Sequence, residues 1–209
     1  MRKALFVWGG WDGHTPRKCV DLFAPWLAEQ GFDVEIADTL DVFADDEKLK
    51  CLNLVVPVWT MGELTPEQEQ TLCQAVARGV GLAGWHAGLA DAFRSNTEFQ
   101  FMAGGQFVSH PGGILPAWNV KITNREHEIT KDVADFTMRD TERYYLHIDP
   151  SNEVLATTPI ADGFDMPVIW TRNWGRGRVA YNSIGHTCKD FEVPEAKLLV
   201  QRSLLWAAN

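Results

Sequence analysis

The sequence predicts an α/β domain built on a mainly parallel sheet, with an antiparallel hairpin near its C-terminal end. Three observations predict it. Ala4-Leu-Phe-Val-Trp8 is a continuous apolar run stopped by Gly9-Gly10, which is how a strand buried on both faces reads. As far as residue 85, strand-length apolar runs alternate with helical periodicity across short links. That alternation implies parallel strands joined by right-handed crossovers. Later, residues 167–171 and 178–182 flank a tight link at 173–177, as expected of a hairpin.

The elements follow in order. Thr15 can cap a helix with Pro16 in its first position. Val20, Phe23 and Leu27 give that helix an apolar stripe, and Gly31 ends it. Residues 33–37 alternate and form a second strand. Residues 53–58 form a third, in which Pro57 removes a ladder donor near the end. Thr65-Pro66-Glu67-Gln68 is a capping-box start. Its helix reaches about Arg78, where Gly79 or Gly81 stops it, and residues 80–85 form a fourth strand. In the second half, residues 106–108, 119–123 and 154–157 read as strands, and 194–207 as a closing helix. Residues 114–150 form a long insertion. No repeat, low-complexity tract or linker divides the chain, so residues 1–209 are read as one domain.

Composition narrows the function. A chain of 209 residues can bury a stable core without staples. With 45% hydrophobic and 22% charged residues, disorder is excluded. The net charge of −9 repels phosphate backbones, so nucleic acid is not an expected partner. Cys19, Cys51, Cys73 and Cys188 form no CxxC pair and no zinc-finger spacing, which fits a reducing compartment. The apolar run at residues 4–8 is too short for a signal peptide or a membrane span. The expected location is the cytoplasm, with no membrane partner.

The histidines suggest where the chemistry sits. In an open α/β sheet, ligands bind beyond the carboxyl ends of the strands. His14, His86, His110 and His186 each fall just past a predicted strand, which puts them on one edge. His147 lies in the insertion, and His127 lies in a polar surface stretch. The strongest local motif is Gly84-Trp85-His86-Ala87-Gly88. Small residues around a central side chain suit a sharp strand-to-helix turn that lifts this residue toward the ligand edge. Hydrolases carry Ser at the centre, and glutamine amidotransferases carry Cys. Here His86 takes that place, as a general base, a proton donor or a metal ligand. A strained backbone is expected at His86, with a helix N-terminus beneath it that disfavours imidazolium.

These residues resemble the trehalose-utilisation (ThuA-like) family of the class I glutamine amidotransferase-like superfamily. Four stretches carry the likeness: Gly9-Gly10 with His14-Thr-Pro16, Leu64-Thr-Pro-Glu-Gln68 with residues 79–87, residues 104–111, and residues 167–186. The resemblance implies a flavodoxin-like three-layer sandwich and a role in sugar metabolism. It also implies a lost activity. Glutaminases of this superfamily need a Cys at the elbow and a His-x-Glu pair, whereas His186 is followed by Thr187-Cys188.

A sugar ligand agrees with the aromatic content, since nine tryptophans is a high count. Trp11, Trp59, Trp85 and Trp174 fall in or beside loops near the predicted edge. Flat rings there can pack against a pyranose. Tyr145 and His110 complete the expected substrate contacts. Asp12 is the acid best placed beside His14, while Asp140 and Glu142 precede Tyr144-Tyr145 and can supply an acid or bind hydroxyls. The expected catalytic set is His86, His186, Asp12 and His14, acting on a small-molecule carbohydrate by imidazole acid–base chemistry. The alternative is a non-catalytic sugar-binding or regulatory protein on the same fold. No cofactor is required by the sequence. Zinc suits four histidines, although no HxH or HxxxH spacing supports it. The long insertion and the tryptophans suggest a homodimer.

Overall fold

The computed structural model describes residues 1–160 and 163–208. Its elements are β1 (Arg2–Gly10), α1 (Pro16–Glu29), β2 (Phe32–Ala37), α2 (Asp46–Leu49), β3 (Leu54–Thr60), α3 (Pro66–Arg78), β4 (Gly81–Trp85), α4 (Ala87–Ala90) and α5 (Thr97–Ala103). After these come β5 (Gly105–Ser109), β6 (Ile114–Ile122), β7 (Phe136–Glu142), β8 (Tyr145–Ile148), β9 (Glu153–Ile160), β10 (Phe164–Trp174), β11 (Gly177–Asn182) and α6 (Pro194–Ala207).

Among the described residues, nine strands form one sheet in the order β2-β1-β3-β4-β11-β10-β9-β6-β7. The pairs from β2 to β11 are parallel. Those from β11 to β7 are antiparallel. The expected hairpin is therefore β10–β11, and it opens a four-strand antiparallel extension that the sequence reading did not anticipate. β5 and β8 form a separate antiparallel ribbon.

Side chains along β1 show why the run 4–8 is uniformly apolar. Ala4 and Phe6 pack on one face with Val20, Phe23 and Leu27 of α1 and Leu199 and Leu204 of α6. Leu5 and Val7 pack on the other with Leu72 and Val76 of α3 and Phe99 of α5. Alternation puts successive residues on opposite faces, and both faces are covered. Helices thus enclose the sheet in three layers. No helix among the described residues is long and apolar enough to cross a membrane.

Local chemistry explains the details. The Thr65–Gln68 capping box forms, with both reciprocal hydrogen bonds. Pro57 is accommodated in β3 because the β3–β4 ladder stops at Val55–Leu82, before the missing N–H matters. Thr15 differs from expectation. It precedes α1 at φ 50° and its side chain does not cap the helix. Its hydroxyl accepts a hydrogen bond from Cys188 N at 2.9 Å, tying the loop after β11 to the start of α1.

The insertion contains β6, β7 and β8. In β7 the buried alternation of Phe136 and Met138 breaks at Asp140, which takes φ 51°. Beyond it, both Thr141 and Glu142 are buried. A phase change of this kind hides the strand from a period-two reading.

Candidate functional site

Three loops at the carboxyl edge of the parallel strands each present one histidine. His14 lies on the short 3-10 turn Asp12–His14 after β1. His86 follows β4. His186 follows β11, after Gly185. That glycine has φ 118°, and a Cβ on it would meet Phe191 and Trp85 within 2.7 Å, so the turn requires Gly there.

The motif around His86 forms a sharp elbow. His86 has φ 48° and ψ −125°, a sparsely populated region for a residue with a Cβ. A Cβ at Gly84 would come 2.8 Å from Leu89 Cγ, and one at Gly88 would come 2.6 Å from Pro57 O. The small flanking residues are thus required by close packing. The elbow is held by hydrogen bonds from His86 N to Asn182 O, at 2.6 Å, and from Tyr181 Oη to His86 O, at 3.0 Å. The helix beneath it, α4, has only four residues. That is too short for the expected dipole effect on the ring.

Glu142 joins the histidines. It ends β7, and its Oε2 lies 3.3 Å from His86 Nε2 and 3.2 Å from His186 Nδ1. Neither nitrogen makes a hydrogen bond of acceptable direction. His110 Nε2 stands 3.8 Å from Glu142 Oε1 at the exposed rim. The ring of His14 lies edge-on to His86 and His186, with centroids 4.8 and 5.1 Å away. Donor atoms of His14, His86, Glu142 and His186 all fall within 4.8 Å of one another. These four side chains are therefore the ones positioned to hold an ion.

Outer contacts fix the rings. His86 Nδ1 donates to Ser183 O at 3.0 Å. His14 Nδ1 is 2.8 Å from Thr60 Oγ1. Asp190 Oδ2 accepts from Thr141 Oγ1 at 2.7 Å and from His186 N at 2.9 Å, so one buried carboxylate ties β7 to the loop after β11. Burial, with the neighbouring His86 and His186, lowers the His14 imidazole to about 3. Burial works to raise the Glu142 carboxyl, but His186 and His86 beside it hold it below the usual carboxylate range. The site at neutral pH pairs a neutral His14 with an ionised Glu142.

Above this cluster opens a cleft of about 210 Å³ whose walls include Trp11, Met61, Arg94, Phe107, His110 and Tyr144. Trp11 is 49% exposed and meets His14 edge-on at 4.7 Å. The Arg94 guanidinium pairs with Asp91 and lies over the Phe107 ring.

Of the residues named from sequence, His14, His86, His186, His110, Trp11 and Glu142 come together here. Six do not, among them Asp140, which is exposed on β7. Asp12 is exposed, and the acid of the cluster is Glu142 instead. Trp85 is 3% exposed and packs on Phe23 and Phe191, because the elbow's alternation turns it into the core. Trp59 fills the space over Gly9 and Gly62. Tyr145 meets His147 and Phe164 away from the cleft, while Tyr144 stacks on His86 at 3.9 Å. Trp174 ends β10, which runs antiparallel to β11, so it lies at the opposite edge. There its Nε1 donates to Cys73 O. Sequence reasoning did not select Tyr144, Thr60 or Asp190. Glu142 is one of the two acids the sequence offered before Tyr144-Tyr145, and the structure selects it over Asp140.

The fold and site define a class: an α/β protein with a mainly parallel sheet and an antiparallel extension, in which a histidine sits on the sharp elbow after β4. The chain belongs to the ThuA family, described as trehalose utilisation, whose model matches residues 3–207. It is similar to a ThuA-like protein from Bacteroides uniformis ATCC 8492, at 23% identity and TM-score 0.82 over 99% of this chain and 91% of that one. It is also similar to a ThuA-like protein from Parabacteroides merdae ATCC 43184, at 18% identity and TM-score 0.75 over 100% and 90%. A cytoplasmic protein from Salmonella typhimurium LT2 shares the fold, at 14% identity and TM-score 0.70 over 98% and 99%. No curated protein matches the chain.

Proposed function

We propose that this protein is a cytoplasmic enzyme of carbohydrate metabolism that moves protons on a sugar or keto-sugar held in the cleft. The observation that carries the reading is the convergence of His86 and His186 on Glu142, which together with His14 lines an aromatic-walled cleft. His86 is the base or acid, with His186 as its partner. Because His86 Nδ1 donates to Ser183 O, its Nε2 carries the free lone pair and faces the cluster. Glu142 stabilises imidazolium as a proton is taken up, and so makes transfer to either ring easier. Trp11 supplies the flat face for a pyranose. The family's description supports the substrate class, the Salmonella relative supports the location, and the 2-1-3-4 strand order continued by β11 supports a flavodoxin-like ancestry.

A screen against mono- and disaccharides and their keto forms tests the reading. At least one should be converted, with product followed by chromatography. His86→Ala should cut turnover about 10²-fold or more, since a positioned acid or base contributes 10²–10⁴-fold. Failure to turn over any of them would sink the reading. Saturable binding without turnover would instead favour a sugar-binding role.

A further inference from the structure

His86 Nε2 and His186 Nδ1 are buried and take no hydrogen bond, yet both approach the same oxygen of Glu142 within 3.3 Å. His86 itself is 1% exposed. Two imidazole nitrogens and a carboxylate oxygen that converge without bonding to one another form a donor set for a cation. His14 completes it, since all four donors lie within 4.8 Å.

The surrounding contacts orient the set as they orient ligands in metal sites. A ligating histidine donates its other ring N–H to a carbonyl, carboxylate or hydroxyl, which fixes the tautomer and aims the free nitrogen. His86 does this through Nδ1 to Ser183 O. His14 engages Thr60 Oγ1 through Nδ1. Each is left with Nε2 for the ion. Asp190 anchors the backbone beside two of the four, at Thr141 and His186 N. Four donors at most 4.8 Å apart lie within about 2.9 Å of a common centre, against ~2.0–2.2 Å for zinc–nitrogen and zinc–oxygen bonds, so inward side-chain shifts of less than about 1 Å close the shell.

We propose that His14, His86, Glu142 and His186 bind one divalent transition-metal ion of the zinc class, with its open side toward the cleft. Donor chemistry sets the class. Imidazole with carboxylate suits zinc and its first-row neighbours, whereas magnesium and calcium take oxygen ligands. No thiolate belongs to the set. Three neutral imidazoles and one carboxylate carry a single negative charge, which the ion more than offsets. The cleft walls give access from one side, the arrangement of sites that keep a position for water or substrate. An ion there would polarise a keto or hydroxyl oxygen of a bound ligand.

The inference rests on the site of the proposed function but not on the substrate being a sugar; an ion on His86 Nε2 takes the lone pair that would otherwise accept a proton, so it would replace His86 as the polarising group, and its readout is binding. Tag-free protein is stripped with a chelator, dialysed, and titrated with zinc by calorimetry and with cobalt by visible absorption. Magnesium serves as the hard-cation control. We expect one zinc per chain at micromolar affinity or tighter, and cobalt d–d bands of a protein-bound ion. His186→Ala and Glu142→Gln should each weaken zinc binding about 10-fold or more, since even outer partners of a metal ligand are worth 10–100-fold. His110→Ala, outside the set, should keep a stoichiometry of one. Absence of saturable zinc and cobalt binding by folded wild-type protein would overturn the proposal, even if the variants do not fold. Magnesium binding as tightly as zinc would overturn the assigned class. Zinc binding unchanged in both folded variants would overturn the assigned residues.

Discussion

In the parallel half of the sheet, β1, β4 and β11 each end in a loop that carries one histidine of the cluster. In the antiparallel half, among the described residues, β7 reaches the cluster and brings its carboxylate. The two halves solve different problems. Parallel strands all point their carboxyl ends at one edge, so residues placed after them meet by default. An antiparallel strand must be steered there. β7 pairs with β6 at the far edge of the sheet, and its end is held to the histidine loop through Asp190. The cluster is therefore a joint between the parallel and the antiparallel halves of the sheet.

The largest expected effect separates two tryptophans that the sequence treats alike. Trp85→Ala empties a core position beside Phe23 and Phe191 and should cost about 3–5 kcal/mol in unfolding free energy. Trp11→Ala should leave the urea midpoint nearly unchanged and weaken ligand binding. Equal stability losses would mean that the loop after β1 is packed as tightly as the elbow, and would break the contrast between framework and cleft.

Asp190 tests the joint itself. Asp190→Ala removes the acceptor for two donors, the buried Thr141 Oγ1 and the part-buried His186 N. A cost of about 1–3 kcal/mol follows from leaving a buried partner unsatisfied. Metal affinity or turnover should also fall, and Asp190→Asn, which keeps an oxygen acceptor, should restore part of both. If Asp190→Ala lowers stability without touching either functional readout, the antiparallel half reaches the site without needing this tie.

The smallest effect concerns pH. His14 is lowered from the usual 6.5 to about 3, first by burial and then by His86 and His186. Its folded form binds protons less readily than its unfolded form, so stability is present above about pH 6.5 and declines as pH falls toward 3. Glu142, held below its ordinary range, acts in the same direction below the usual carboxylate range. Urea midpoints of chelator-treated protein should be lower at pH 5 than at pH 7. A midpoint that rises on acidification would reverse the assignment for His14.

Much of the parallel half is legible in the sequence. The apolar run before Gly9-Gly10, the Thr65–Gln68 box and the Gly84–Gly88 elbow are all local signals, and local signals need no partner to be read. The elbow forms with His86 at positive φ. The antiparallel half is less legible. β7 loses its alternation at Asp140, and its neighbour β6 carries Pro116 within the strand. Tyr144 and Tyr145 look interchangeable in sequence, yet one stacks on His86 and the other faces away.

The sequence by itself determined the order of parallel strands and helices and the edge at which the histidines gather, because periodicity and turn chemistry are properties of neighbouring residues. Only the tertiary structure decided which acid joins them. Asp12 is two residues from His14 in the chain, but its turn leaves it exposed. Glu142 is 56 residues from His86 and 44 from His186 by their numbering, and it lies within 3.3 Å of both rings. Electrostatic and coordination chemistry depend on distance through space, and no local pattern encodes the path by which the end of β7 is folded back onto the loops of the parallel half.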